Sequence, residues 1–155
     1  MSTISAELTE GYAVELRTTS GHRWRADEPI AAGGTDTGPT PYELLLGALA
    51  ACTTITLSMY AQRKGWAVDG IEVSYAHDRV HVDDCAECES HHRGYIDRIV
   101  SQITIRGDLD DAQRQRLTEV AGRCPVHKTL MGEKQVATTI ERGPTSIPQD
   151  PGPAG

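Results

Sequence analysis

Hydrophobic and polar residues alternate along the first part of the chain, and the interruption in this pattern predicts a β-hairpin. Residues Tyr12 to Asp27 follow a period of two, which the letters TTSG break. Alternation of this kind places every second side chain on one face of a strand, so the segment predicts two strands joined by a turn. The next segment, Glu28 to Pro41, is rich in glycine, proline and threonine and predicts a loop.

A long apolar segment, Pro41 to Lys64, has the start and stop signals of a helix. Thr40 fits the N-cap, proline follows it at the first helical position, and Glu43 completes a capping box. Gly65 fits the end of the helix. The first half is apolar almost all round, which predicts a helix buried against a sheet rather than an amphipathic surface helix.

The remainder of the chain continues with strand and helix patterns in turn. Together they predict an α+β fold with one domain over residues 1–142, followed by a disordered Pro/Gly-rich tail at 143–155. The predicted strands are Val68 to Val82, Tyr95 to Gly107 and Lys134 to Arg142, and the predicted helices are Asp108 to Cys124 and a short helix from Pro125.

Charge and composition narrow the classes of partner. The formal net charge of -7 argues against nucleic acid and anionic membrane surfaces, since phosphates attract basic patches. The N-terminal segment has no basic start or apolar run, and no window approaches the roughly 20 apolar residues of a membrane helix. We therefore expect a cytoplasmic protein with no membrane partner. Its four cysteines are too few for a disulfide scaffold.

Two of the cysteines, Cys52 and Cys124, lie in predicted helical contexts. Cys52 falls in the middle of the apolar helix, where a free cysteine commonly packs as a small hydrophobic residue, so core filler and reagent both stay open. Cys124 precedes Pro125 and so fits an N-cap, where unpaired N–H groups favour a thiolate, with His127 nearby. A buried structural cap is the alternative for Cys124.

The other two cysteines belong to a short acidic connection between the predicted strands. Zinc favours thiolate and imidazole ligands, but its usual sites separate the ligand pairs more widely, so a metal site, a redox pair and a solvated loop all stay open. The candidate ligands are Cys85, Cys88, His91 and His92. His77 and His81 share one face of the preceding strand, and we interpret them as surface histidines.

The letters GPTPYELLLGALAAC, together with the later CPVH, resemble the OsmC/Ohr family of hydroperoxide-reducing proteins. The resemblance covers roughly Tyr12 to Arg142. It implies an α+β fold in which a long central helix packs on antiparallel sheets, and two chains intertwine into a homodimer. It also implies active sites at the interface between the two chains.

The same resemblance implies roles for the cysteines. It gives Cys52 the attack on the peroxide bond and Cys124 the resolution of the sulfenic acid as a disulfide, so it favours Cys52 as a reagent. It also implies an arginine and a glutamate beside the attacking thiol, for which Arg23, Arg25 and Glu43 are the candidates. The family pattern has its glutamate one position before Glu43, where this chain has tyrosine.

The sequence therefore predicts a cysteine-based peroxidase that acts on organic hydroperoxides, and on hydrogen peroxide as a further substrate, in the response to oxidative stress. An external dithiol would regenerate it, and no cofactor is expected. The alternative is an OsmC-like scaffold that binds zinc or another soft metal through the Cys85, Cys88, His91 and His92 loop and has no peroxidase activity.

Overall fold

A three-stranded antiparallel sheet opens the fold, in the order β1, β2, β3. The computed structural model describes residues 3–82 and 94–141. The strands are β1 (Ile4–Glu10), β2 (Ala13–Thr18) and β3 (Arg23–Ala26). The turn between β2 and β3 contains Gly21 at φ 94°, a conformation that glycine adopts without steric cost. The predicted hairpin is therefore confirmed, whereas β1 was not predicted from the sequence.

Beyond the hairpin, a loop is held in place by one buried carboxylate, that of Asp27. Its side chain accepts hydrogen bonds from the backbone N–H groups of Glu28, Thr35 and Thr37 at 2.8, 3.1 and 3.2 Å. The hydroxyls of Thr35 and Thr37 donate to the same carboxylate at 2.6 and 2.9 Å. Asp27 is 2% exposed. These bonds fix the loop that delivers the chain to Thr40, where the long helix begins.

The long helix α1 spans Pro41–Lys64, as predicted. Its capping box is complete, because the Glu43 N–H donates to Thr40 Oγ1 at 3.2 Å and the Thr40 N–H donates to Glu43 Oε2 at 2.8 Å. The helix ends at Gly65, which has φ 67° and satisfies carbonyl groups of the last turn through its N–H.

Only one face of α1 is buried within a single chain, and this face packs against a sheet, as predicted. The inner face consists of Leu49, Thr53, Leu57 and Ala61, one residue per turn. The outer face is apolar but open, and it follows the alternating three- and four-residue spacing by which one helix packs along another. This outer face consists of Leu45, Ala48, Cys52, Ile55 and Met59, of which only Cys52 is partly buried.

Judged by length and composition alone, α1 is apolar enough to cross a membrane. The expectation that no window reaches that length is therefore wrong. A core helix of a soluble protein gives the same signal, and α1 packs against the second sheet and two further helices.

The second sheet pairs two long antiparallel strands, β4 (Gly70–His81) and β5 (Tyr95–Arg106), within a residue or two of their predicted bounds. Helix α2 spans Asp111–Ala121, shorter than predicted because the side chain of Asp110 caps it. Helix α3 spans Pro125–Met131. The core lies between α1, α2 and this sheet, and its buried residues are Leu57, Ala61, Leu117, Val120 and Ala121.

The final predicted strand, Lys134 to Arg142, does not form over its described part. Residues 134–141 have no regular secondary structure, and all of them are exposed. Val136 and Ile140 are 88% and 94% exposed. The segment has the β-branched composition of a strand, but a strand also needs a neighbouring strand for its backbone hydrogen bonds, and the described part of the chain offers none there. The predicted tail at 143–155 lies outside the described residues.

Candidate active site

The packing of α3 against α1 brings Cys52 and Cys124 into one cluster. Cys124 is the N-cap of α3, as the following proline predicted, and its Sγ accepts a hydrogen bond from the backbone N–H of His127 at 3.3 Å. Cys52 lies on α1 and is partly exposed, whereas Cys124 is fully buried. Both cysteines are free thiols.

A second hydrogen bond reaches Cys124 from the inner face of α1. The hydroxyl of Thr53 donates to Cys124 Sγ at 3.4 Å, and the same hydroxyl lies 3.1 Å from the phenol oxygen of Tyr75 on β4. Thr53 is fully buried. Helices α1 and α3 therefore meet at the Cys124 sulfur, and β4 joins this cluster through the Thr53 hydroxyl.

These contacts lower the pKa of the Cys124 thiol. Burial acts in the opposite direction and raises the pKa, because it disfavours the charged form. The hydrogen bonds from Thr53, from the His127 N–H, from Cys52 and from the Val126 N–H outweigh that effect, so the pKa lies below its usual value. The site can thus hold a thiolate at Cys124.

A cleft of about 620 Å³ opens beside this cluster. Its surface is mainly apolar, with aliphatic side chains that include Leu45, Leu49, Ile99, Ile103, Leu130 and Met131, and polar side chains such as His77 and Asp97 also line it. Neither cysteine lines the cleft. Tyr75 and His127 belong both to its wall and to the hydrogen-bonded cluster around Cys124. A ligand in the cleft would therefore reach the sulfurs past these two residues.

The arginines expected near Cys52 lie elsewhere within one chain. Arg23 Nη1 is 3.6 Å from Glu15 Oε1, and Arg25 also acts electrostatically on Glu15. Their effect adds to that of Arg17, whose hydrogen bond is the main reason that the pKa of Glu15 is lowered. Across residues 3–82 and 94–141, no arginine forms a hydrogen bond with Cys52.

The candidate glutamate is committed to the start of α1. The backbone N–H and the hydroxyl of Thr40 both donate to Glu43, at 2.8 and 3.0 Å, and these bonds lower its pKa. Its carboxylate therefore serves the capping box, and it lies more than two helical turns before Cys52.

His77 is more enclosed than the surface histidine expected from its strand. Its side chain is 17% exposed, its Nε2 lies 2.9 Å from Asp97 Oδ1, and its ring stacks on Tyr42 with centroids 4.5 Å apart. All three residues line the cleft. The interpretation of His77 as a surface histidine is therefore wrong, because Tyr42 at the start of α1 covers its ring, which the alternation along β4 could not reveal.

The candidate metal ligands Cys85, Cys88, His91 and His92 lie outside the described residues. Within the ranges 3–82 and 94–141, no group of three or more histidine, cysteine or acidic side chains has the arrangement of a metal site.

Residues 34–140 match the family described as OsmC-like protein, and the chain belongs to this family. The match includes both Cys52 and Cys124, together with α1, the second sheet, α2 and α3. A search of curated proteins finds no match.

Several solved structures share the fold. An OsmC-like protein from Mycoplasma pneumoniae is 22% identical with a TM-score of 0.66, over 85% of this chain and 88% of that one. An organic hydroperoxide resistance protein OsmC from Legionella pneumophila is 17% identical with a TM-score of 0.63, over 85% and 90%. The organic hydroperoxide resistance protein OhrB of Bacillus subtilis is 22% identical with a TM-score of 0.58, over 85% and 91%. These likenesses establish the α+β fold of the family.

Proposed function

We propose that this protein reduces organic hydroperoxides with Cys52 and Cys124 and protects the cell against oxidative stress. The observation that carries the proposal is the pairing of two free thiols beside a largely apolar cleft. Two relatives of the same fold are named as organic hydroperoxide resistance proteins. A largely apolar cleft suits the alkyl part of such a substrate, since binding there removes apolar surface from water.

The proposed cycle has three steps. The thiolate of Cys52 attacks the terminal peroxide oxygen, the O–O bond breaks, and the leaving alkoxide takes a proton to become the alcohol. The thiolate of Cys124 then attacks the sulfur of the Cys52 sulfenic acid, which releases hydroxide and forms the disulfide. An external dithiol finally reduces this disulfide and becomes oxidised itself.

The protein acts as a homodimer in this proposal. The outer face of α1 leaves Ile55 and Met59 58% and 65% exposed, and apolar surface of this kind in a central helix suits a second helix. The exposed segment 134–141 has the composition of a strand that a partner sheet could pair. A second copy would also supply the cation that Cys52 lacks within one chain, and Arg23 and Arg25 remain the candidates.

Intact-mass measurement of two cysteine variants tests the proposed roles. After one equivalent of an organic hydroperoxide, Cys52→Ser should consume no peroxide, because a serine hydroxyl is not ionised near neutral pH and forms no sulfenic acid. Cys124→Ser should react once and retain the added oxygen on Cys52, since no thiol resolves it. Excess peroxide should then carry Cys52 on to the sulfinic acid.

The opposite result has a definite meaning. Cys124 is the thiol whose pKa is lowered, so oxygen that accumulates on Cys124 in the Cys52→Ser protein would reverse the two roles. Peroxide consumption that is unchanged in both variants would contradict the peroxidase function itself. The doubly substituted Cys85→Ser, Cys88→Ser protein is the matched control, and it should consume peroxide at the wild-type rate.

A further inference from the structure

The hydroxyl of Thr53 connects Tyr75, which lines the cleft, to the buried sulfur of Cys124. It lies within hydrogen-bond distance of two groups only among the described residues, the phenol of Tyr75 at 3.1 Å and Cys124 Sγ at 3.4 Å. The other threonines nearby on α1 behave differently. Thr54 and Thr56 donate to backbone carbonyls one turn earlier, at 2.9 and 2.7 Å, so only Thr53 offers its proton to a sulfur.

The direction of this short chain of hydrogen bonds follows from proton counting. A threonine hydroxyl has one proton to donate and lone pairs to accept with. Since Thr53 donates to Cys124 Sγ, the bond to Tyr75 must use the phenol as the donor. The proton order is therefore Tyr75 to Thr53 to Cys124. Such a chain strengthens the final bond, because each donor polarises the next one.

We propose that Thr53 and Tyr75 are positioning residues that stabilise the Cys124 thiolate, both as the resolving nucleophile and as the leaving group when the disulfide is reduced. The proposal rests on the two-cysteine cycle proposed above. It deepens that cycle by assigning which groups stabilise the ionised form of a fully buried sulfur, a form that burial alone would oppose.

This arrangement determines which sulfur of the disulfide the reductant attacks and which sulfur leaves. A thiolate of the external dithiol attacks Cys52 Sγ, the partly exposed sulfur of the pair, and the S–S bond breaks. Cys124 leaves as a thiolate that Thr53 receives, and a leaving thiol of lower pKa departs faster. The second thiol of the reductant then displaces Cys52 from the mixed disulfide. Both cysteines end as thiols, and the reductant ends as a disulfide.

The groups that face Cys124 come from three elements. Helix α1 contributes Cys52 and Thr53, β4 contributes Tyr75 through Thr53, and α3 contributes His127 with the N–H groups of its first turn. Of these, Cys52, Tyr75 and His127 can change charge. The ionisation of Cys124 must therefore be followed through a signal of its own, because the total thiolate content of the protein also includes other cysteines.

The test is a pH titration of the full chain labelled at cysteine Cβ with ¹³C and followed by NMR, with the Cys124 signal assigned from Cys124→Ser. Thr53→Val keeps the shape of the side chain and removes the donor. It should raise the pKa of Cys124 by about one to two units, the range that a hydrogen bond to a charged group supports. Tyr75→Phe should shift it in the same direction by less.

Two further variants separate the hydroxyl from its surroundings. Thr53→Ser keeps the donor and should restore the wild-type titration of Cys124. Thr54→Val makes the same change one position later, where the hydroxyl bonds only to a backbone carbonyl, and should leave that titration unchanged. If the pKa of Cys124 were unchanged in Thr53→Val, or shifted equally in Thr53→Val and Thr54→Val, the proposed role of Thr53 and Tyr75 would be wrong.

A separate experiment identifies the sulfur that the reductant attacks. Oxidised protein treated briefly with glutathione and then acid-quenched should carry the glutathione on Cys52, as found by peptide mass spectrometry. Glutathione on Cys124 would contradict the assignment of Cys124 as leaving group. The wild-type protein could also fail to consume peroxide while Thr53→Val still raises the pKa of Cys124. That result would reject the peroxidase proposal and leave the role of Thr53 and Tyr75 standing, so the two failures are distinguishable.

Discussion

At the scale of single residues, Asp27 has the most demanding environment outside the cysteine cluster. Its carboxylate is buried and accepts five hydrogen bonds from the loop that precedes α1. The Thr35 hydroxyl bond is the largest influence, and burial opposes it, with the net result that the pKa of Asp27 is strongly lowered. The loop is thus built for a charged carboxylate.

Asp27→Asn should destabilise the protein and lower its Tm by several degrees. The amide would present N–H groups to donors that need an acceptor, which leaves buried donors without partners. Asp36→Asn is the matched control, since Asp36 is exposed in the same loop and asparagine tolerates its φ of 55°. Thermal unfolding followed by circular dichroism gives both values, and equal Tm values would contradict a structural role for Asp27.

The effect of Asp27→Asn should depend on pH in one direction. A carboxyl whose pKa is lower in the folded state than in the unfolded chain adds stability above its unfolded pKa of about 3.9. The stability difference between wild type and variant should therefore be largest near neutral pH. It should shrink as the pH falls below about 4, where the folded wild type begins to lose this contribution.

The residues around Cys124 show what a sequence can and cannot indicate at this scale. Its N-cap position was predictable, because the following proline marks a first helical residue. The hydroxyl of Thr53 was not, since it lies 71 positions away from Cys124 in the chain. A threonine in an apolar helix also has an ordinary alternative, a bond to its own backbone, which Thr54 and Thr56 make.

At the scale of elements, α1 organises the molecule through its inner face. Leu57 is fully buried there and packs with Leu117 and Val120 of α2. A buried leucine in such a cluster contributes both through the apolar surface it removes from water and through the cavity that its loss would leave. The inner face therefore holds α1, α2 and the second sheet together.

Leu57→Ala should lower the free energy of unfolding by about 2 to 5 kcal/mol. Leu8→Ala is the matched control, because Leu8 on β1 is 65% exposed and its truncation should change stability by less than about 0.5 kcal/mol. Urea unfolding at one fixed protein concentration measures both. Similar losses in the two variants would mean that the inner face of α1 does not dominate the core.

The bounds of elements were predictable where the chain carries local signals. The capping box and Gly65 defined both ends of α1, and alternation defined β4 and β5. The strand β1 was missed because its seven residues are exposed and carry no buried face. The strand predicted at Lys134 to Arg142 failed for the complementary reason, since local propensity cannot supply the neighbouring strand.

At the scale of the whole molecule, the single chain leaves several apolar features uncovered. The outer face of α1 exposes Ile55 and Met59, and residues 134–141 expose Val136 and Ile140. A buried core of modest size beside this much open apolar surface is what one half of an obligate dimer presents, since obligate interfaces resemble a divided core. A second copy of the chain is the occupant we propose for the outer face.

Ile55→Arg should convert the protein to a monomer or weaken its dimer strongly. The side chain is 58% exposed in one chain, so an arginine there reaches water and leaves the fold of that chain intact. In a dimer packed along the outer face, the same guanidinium would lose its hydration without gaining a partner, which is costly. Light scattering after size exclusion measures the mass, and circular dichroism checks the fold.

Gln115→Arg is the control, because it adds the same charge at an exposed position of α2 away from the outer face. It should leave the mass of the dimer unchanged. Should Ile55→Arg unfold the chain, Ile55→Ala offers a milder test that raises the dissociation constant and keeps helix content. A wild-type protein that is monomeric at micromolar concentration, or an Ile55→Arg dimer as tight as that of Gln115→Arg, would show that the outer face of α1 is not the interface. If Ile55→Arg becomes monomeric and also loses peroxide consumption, the activation of Cys52 depends on the partner chain.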